Sequence, residues 1–158
     1  MRVKAATLFV LCIAVAGCSS GFEDKALGVR WEPPHFAQGK ASTSSDPVPT
    51  AHLPGGVSLR RVSGEAPSGR AEAMLAEVVT QAGLGAATAQ MTVRSHRSGT
   101  LPAGRVERFE LDGGAERTLL YVVRGDGAYL VLTMTAERGE YSQRENHFER
   151  SLASLRFR

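Results

Sequence analysis

Residues 105–135 read RVERFELDGGAERTLLYVVRGDGAYLVLTMT, and this stretch decides the fold. It holds three strand-like runs, Arg105–Leu111, Arg117–Val123 and Ala128–Thr135, separated by Asp112-Gly113-Gly114 and Gly125-Asp126-Gly127. Short breaks rich in Gly and Asp supply the positive φ angles that fold a chain back on itself as a hairpin. Leu119–Val123 and Tyr129–Leu132 are apolar at successive positions. Strands of that kind bury both faces, so the centre of the sheet needs a cover on each side.

Upstream, Met91 and Val93 alternate with Gln90, Thr92, Arg94 and His96 and add a fourth strand to the meander. Before that strand the period lengthens. Ala71, Met74, Leu75, Val78 and Ala82 fall on one face, with Arg70, Glu72, Glu77 and Gln81 opposite, which predicts a helix over 68–82. Gly83 suits the left-handed residue that ends it. Val48–Leu53 and Val57–Arg61 flank a hairpin turn at Pro54-Gly55-Gly56. Gly28–Glu32 reads as a first strand stopped by Pro33-Pro34, because proline cannot donate to a sheet ladder. The Ser-rich stretch 41–46 reads as a flexible loop, and residues 18–27 as a short tether.

Downstream, Ser142-Gln143-Arg144-Glu145 has the form of a capping box, followed by a seam of Phe148, Leu152 and Leu155 that Tyr141 begins. A last helix pressing this seam onto the meander covers one face. The expectation is an α+β domain over 28–158: an antiparallel sheet of about six strands with helices on both sides.

This order of elements, and the ending YLVLTMTAERGEYSQRENHFERSLASLRF in particular, resembles the PsbP-like superfamily, which includes bacterial DcrB-like lipoproteins. Ser151, Ser154 and Phe157 match its closing segment, and Trp31-Glu32-Pro33-Pro34 its opening strand and proline turn. The resemblance implies an antiparallel sheet with helices on both faces. It transfers little function, since the family ranges from photosystem assembly factors to envelope lipoproteins and secretion chaperones.

The amino terminus carries an address. Arg2 and Lys4 precede twelve uncharged residues, Ala5–Ala16. As a helix that run reaches about 18 Å, against about 30 Å of hydrocarbon to be crossed. A charged start, a short apolar run and then small residues form a secretory signal peptide, here residues 1–17. Val15-Ala16-Gly17-Cys18 resembles the lipobox of bacterial lipoproteins, with Val in place of the commoner Leu. That resemblance implies a diacylglycerol on the Cys18 sulfur, cleavage between Gly17 and Cys18, and acylation of the new amino group. Ser19, where an Asp would mark inner-membrane retention, leans toward the outer membrane. Cys12 leaves with the signal, so Cys18 has no partner for an intramolecular disulfide. No cofactor is expected beyond this covalent lipid.

Removal of residues 1–17 takes away Arg2 and Lys4 and no acid, so the net charge falls from +3 to +1. No Lys follows Lys40, and the arginines alternate with acids. Nucleic-acid binding wants a clustered basic face with stacking aromatics, so that class is set aside.

The candidate sites are sparse. His35, His52, His96 and His147 occupy four different elements without metal-ligand spacing, and neither a G-x-S-x-G elbow nor a phosphate-binding loop occurs. Arg124-Gly125-Asp126 reads as a turn rather than an adhesion motif. Arg94, His96, Arg97, Arg105 and Arg108 lie on neighbouring strands. They form either an anion or lipid-headgroup patch or, as the favoured reading, a solvated face with Arg94 opposite Glu107. Glu145 and Glu149, flanked by Arg144 and Arg150, read as charged outer surface. Trp31 and Phe36, beside the loop running to His52, are further candidates for an exposed contact surface.

The function expected is a non-enzymatic, lipid-anchored module, held to the membrane by acyl chains, facing the periplasm or, as the alternative, the cell surface, and binding another envelope protein. The alternative is a carrier of a small molecule or lipid in a pocket between sheet and helix.

Overall fold

A computed structural model describes residues 21–158. The signal run, the lipobox with its Gly17/Cys18 cleavage point, and Cys18 itself lie outside the described residues.

The four-stranded meander forms as the alternation requires: β6 (Thr92–Leu101), β7 (Gly104–Asp112), β8 (Glu116–Arg124) and β9 (Ala128–Glu137). Three upstream strands extend it: β3 (Ser42–Ser44), β4 (Thr50–Leu53) and β5 (Val57–Ser63). The result is a seven-stranded antiparallel sheet ordered β3-β4-β5-β9-β8-β7-β6, one strand more than expected. The added strand is β3. The stretch 41–46, expected to be a loop, pairs with β4 through Ser42↔His52 to Ser44↔Thr50, where backbone pairing overrides a weak local preference.

The first predicted strand is not in this sheet. Residues Val29–Trp31 (β2) sit between Phe22–Asp24 (β1) and Arg156–Phe157 (β10) in a separate three-stranded sheet. The domain therefore begins inside the stretch expected as tether: Phe22 pairs with Trp31 and Leu27 is fully buried.

The main sheet is covered on both sides. Val62, Leu120, Val122, Tyr129 and Val131 meet Met74, Leu75, Val78 and Val79 of α1 (Ala71–Gln81) and Ala82 just past its end. Leu119, Tyr121, Val123, Leu130, Leu132 and Met134 face the opposite core, with Tyr141 and Phe148 of α3 (Arg138–Ser151), Leu152, Leu155 and the small sheet. Successive residues of β8 and β9 thus serve two different cores, which is why those strands read as unbroken apolar runs. A short α2 (Ala86–Ala89) links α1 to β6.

Two glycines fix the turns. Gly83 has φ +65°, and a Cβ there would collide with Pro47; Gly56, φ +73°, would drive a Cβ into the Thr135 carbonyl. The last helix differs from its expected start. It begins at Arg138 directly from β9, so Ser142 lies inside the second turn and caps nothing, and the position before the helix is Glu137, with no side-chain cap.

Candidate functional site

The main concentration of ionisable side chains grows out of β7. Alternation turns Glu107, Phe109 and Leu111 toward the α1 side, and Val106, Arg108 and Glu110 toward α3. On the α3 side, Arg108 lies opposite Tyr121 of β8 and is 7% exposed. A buried guanidinium needs carboxylate partners with directed hydrogen bonds, and α3 brings two of them one turn apart. Arg108 Nε donates to Glu149 Oε1 at 2.6 Å, while Nη2 donates to Glu145 and, at 3.2 Å, to Glu110. Tyr121 adds its hydroxyl to the same Glu149 oxygen at 2.9 Å, and Ser95 donates to Glu110 Oε2 at 2.6 Å. Glu145 and Glu149 are therefore not the outer surface that their charge pattern suggests. They point inward and clamp the helix to the sheet. Arg108 Nη1 is buried without a partner among the described residues.

The charges of the clamp bias one another. Burial opposes ionisation of Glu110, but the hydrogen bonds from Ser95, Glu145 and Arg108 outweigh it and pull its carboxyl down to about 2. Burial and then the neighbouring Glu110 carboxylate push Glu145 up. Arg108 is raised: burial works against its charge, and the bonds and charge of Glu149 more than compensate. Burial, then the charge of Glu149, raises the Tyr121 hydroxyl further above its ordinary value. The chemistry this arrangement performs is adhesion between α3 and β7.

On the α1 side of the same strands, Glu107 accepts from Ser98 at 2.6 Å, meets His96 Nε2 at 2.8 Å and has Arg124 at 3.7 Å. Burial tends to raise the Glu107 carboxyl, but the Ser98 and His96 bonds hold it below its usual range. The His96 ring stacks on Phe109 at 4.6 Å.

The residues singled out from sequence scatter. Trp31 is fully buried rather than exposed: its indole N–H donates to the Ser151 carbonyl at 3.1 Å and its ring meets Phe148 edge-on at 5.8 Å. The Ser151–Ser154 ending is what closes over it, since Ser154 Oγ accepts the Glu32 N–H at 3.0 Å. Phe36 is half-buried, with the Arg144 guanidinium 5.4 Å from its ring. Arg94 does not face Glu107. The register shifts between Val93 and Ser95, Arg94 sits at that bulge, and Ser98 takes the place opposite Glu107. Arg94 and Arg105 are exposed at the two ends of the β6–β7 hairpin, His96 is half-buried between them, and Arg97 stands across from Arg108. Asp126 and its turn are exposed, while Arg124 ties that corner to the Ala66 and Pro67 carbonyls.

Three concavities accompany these residues. An apolar groove of about 530 Å³ runs between α1, α2 and β6, lined by Leu75, Val79, Met91 and Val93 among others. A cleft of about 370 Å³ brings His35 and His147, distant in sequence, beside Phe36, Glu140 and Arg144. A wide, polar basin of about 1140 Å³ lies at the Gly113-Gly114 end, with Arg94 and Arg138 on its wall. Among the described residues, no group of three or more His, Cys, Asp or Glu side chains is placed to hold a metal ion.

No protein-family model and no curated protein matches the sequence. The fold does have a counterpart. The solution structure of cyanobacterial PsbP (CyanoP) from Synechocystis sp. PCC 6803 superposes with a TM-score of 0.61, covering 91% of this chain and 96% of that one at 12% identity. The domain thus has a PsbP-like fold, as the resemblance implied.

Proposed function

We propose that this chain is a lipid-anchored, non-enzymatic accessory module of the bacterial envelope, acting by binding another envelope protein. The observation that carries the reading is Val15-Ala16-Gly17-Cys18 directly behind a charged start and an uncharged run of twelve residues. Each buried CH₂ contributes about 0.8 kcal/mol, and one acyl chain holds only marginally; the two or three chains of a lipoprotein on Cys18 make a durable anchor. Phe22 already belongs to the sheet, and four Cα steps from Cys18 reach no further than about 14 Å. In this reading the anchor sits in the outer membrane with the domain facing the periplasm, and the short tether keeps it close to the bilayer, so that it meets partners through surfaces turned away from its three-stranded sheet.

The test is metabolic labelling with an alkyne fatty acid, followed by membrane fractionation and in-cell crosslinking. Labelled, membrane-bound protein with one abundant crosslinked partner supports the reading, and Cys18→Ser should abolish both label and processing. Mature protein free in the periplasm with a bare thiol refutes it. The groove between α1, α2 and β6 favours a second reading, carriage of an apolar small molecule or lipid; mass spectrometry of the extracted native protein would then find a stoichiometric ligand.

A further inference from the structure

The two edges of the seven-stranded sheet are unlike. Sheets protect their edges with very short strands, bulges or charge, because unpaired N–H and C=O groups recruit other chains. One edge, β3, follows that rule with three residues. The other, β6, has ten residues and stands at the end of the sheet order, with β7 as its single neighbour. Its bulge is confined to Val93–Ser95, and from Ser95 to Leu101 the register with β7 is unbroken. Every second residue of that run turns its backbone groups away from β7. Four of the seven side chains from Ser95 to Leu101 are small: Ser95, Ser98, Gly99 and Thr100.

The charge along this edge has one sign. Thr92–Leu101 contains Arg94, His96 and Arg97 and no carboxylate, and Arg105 stands opposite Thr100. The nearby acids are committed: Glu107 to Ser98, His96 and Arg124, and Glu110 to Ser95 and Arg108. Arg108, Arg117, Arg124, Arg138 and Arg144 all have carboxylates within ion-pair distance. Arg94, Arg97 and Arg105 have none among the described residues, and all three are exposed. Arg97 shares the face of Arg108, and Arg105 the face of Ser98, so a strand laid along the edge would find a cation on either side.

We propose that the β6 edge is a strand-addition site for an extended, acidic segment of a partner protein. Backbone ladder bonds to Ser95–Leu101 supply the affinity, and Arg94, Arg97 and Arg105 select carboxylates on the incoming strand. This names the docking surface for the accessory role above and rests on that reading only for where the partner resides.

The experiment uses the purified chain and a peptide of about eight residues alternating Glu with Val or Thr. Binding is followed by fluorescence anisotropy and by amide hydrogen exchange. The expected result is saturable binding with slowed exchange confined to β6, weakened about tenfold by Arg97→Glu with Arg105→Glu and lost when alternate peptide nitrogens are methylated. Methylation removes ladder donors without altering charge. Equal binding by the methylated peptide overturns strand addition, as does protection elsewhere than β6, and failure of the unmodified peptide to bind overturns the site altogether. A lipidated chain that crosslinks to an envelope protein yet ignores the peptide separates the two readings: the accessory role stands and this inference falls.

Discussion

Replacing Arg108 by Ala is the sharpest test of how α3 is held. The side chain is 8% exposed and contacts Glu110, Glu145 and Glu149. Removing one partner of a buried ionic cluster costs about 3–5 kcal/mol, because the remaining charges stay without compensation. Here the three carboxylates are 20–35% exposed, and water recovers part of that loss. The expected destabilisation is therefore about 2–4 kcal/mol at pH 7, or a fall of roughly 10 °C in Tm. The sign of the pH dependence follows from Glu110. In the native chain its carboxyl is held down at about 2, so it adds stability above its unfolded value of about 4.3 that is lost as pH falls toward 2. Without Arg108 its bond and its charge are lost from Glu110 while the Ser95 bond remains, so the depression weakens and three crowded carboxyls favour protonation. The gap between variant and native protein should be widest at neutral pH and narrow as pH falls from about 4.3 toward 2. Trp31 is the sole tryptophan and lies against Phe148 of α3, so urea unfolding followed by its fluorescence reads the helix–sheet contact directly. A loss below about 0.5 kcal/mol, or a gap that stays constant with pH, would refute the clamp. Arg108→Lys keeps the charge but not the fork, and should fall between the two.

Two further outcomes are expected of the same urea assay. Phe148→Ala, which empties a fully buried ring site between Trp31 and Tyr121, should cost about 3–5 kcal/mol and red-shift the native Trp31 emission; an unshifted spectrum would mean that the ring does not shield the indole. Gly56→Ala should cost about 1–3 kcal/mol, since it combines φ +73° with a collision at the Thr135 carbonyl, whereas Gly64→Ala, φ +98° with open space around it, should cost less. Equal losses at the two glycines would show that the carbonyl contact is unimportant.

Much of the frame was legible because it depends on local pattern. Hairpin turns at Pro54-Gly55-Gly56, Asp112-Gly113-Gly114 and Gly125-Asp126-Gly127, the apolar stripe of α1 and the double cover over β8 and β9 all follow from residue spacing. The capping box misled, because β9 feeds α3 without a loop and leaves Ser142 inside the helix.

What the chain alone determined is its periodicity: which long segments are strands, which stripe is buried, and that Cys18 follows an uncharged run of twelve residues and a small-residue step. Only the tertiary structure decided which polar residues are surface. Charge on a strand or helix looks solvated from sequence, since each residue there is judged by its own transfer cost; Arg108, Glu145 and Glu149 come from positions 37 to 41 residues apart, and their mutual compensation exists only once α3 lies across β7. The same holds in reverse for Trp31, whose exposure no local pattern could fix, because the segments that cover it, Phe148 and Ser151–Leu155, arrive from the other end of the chain.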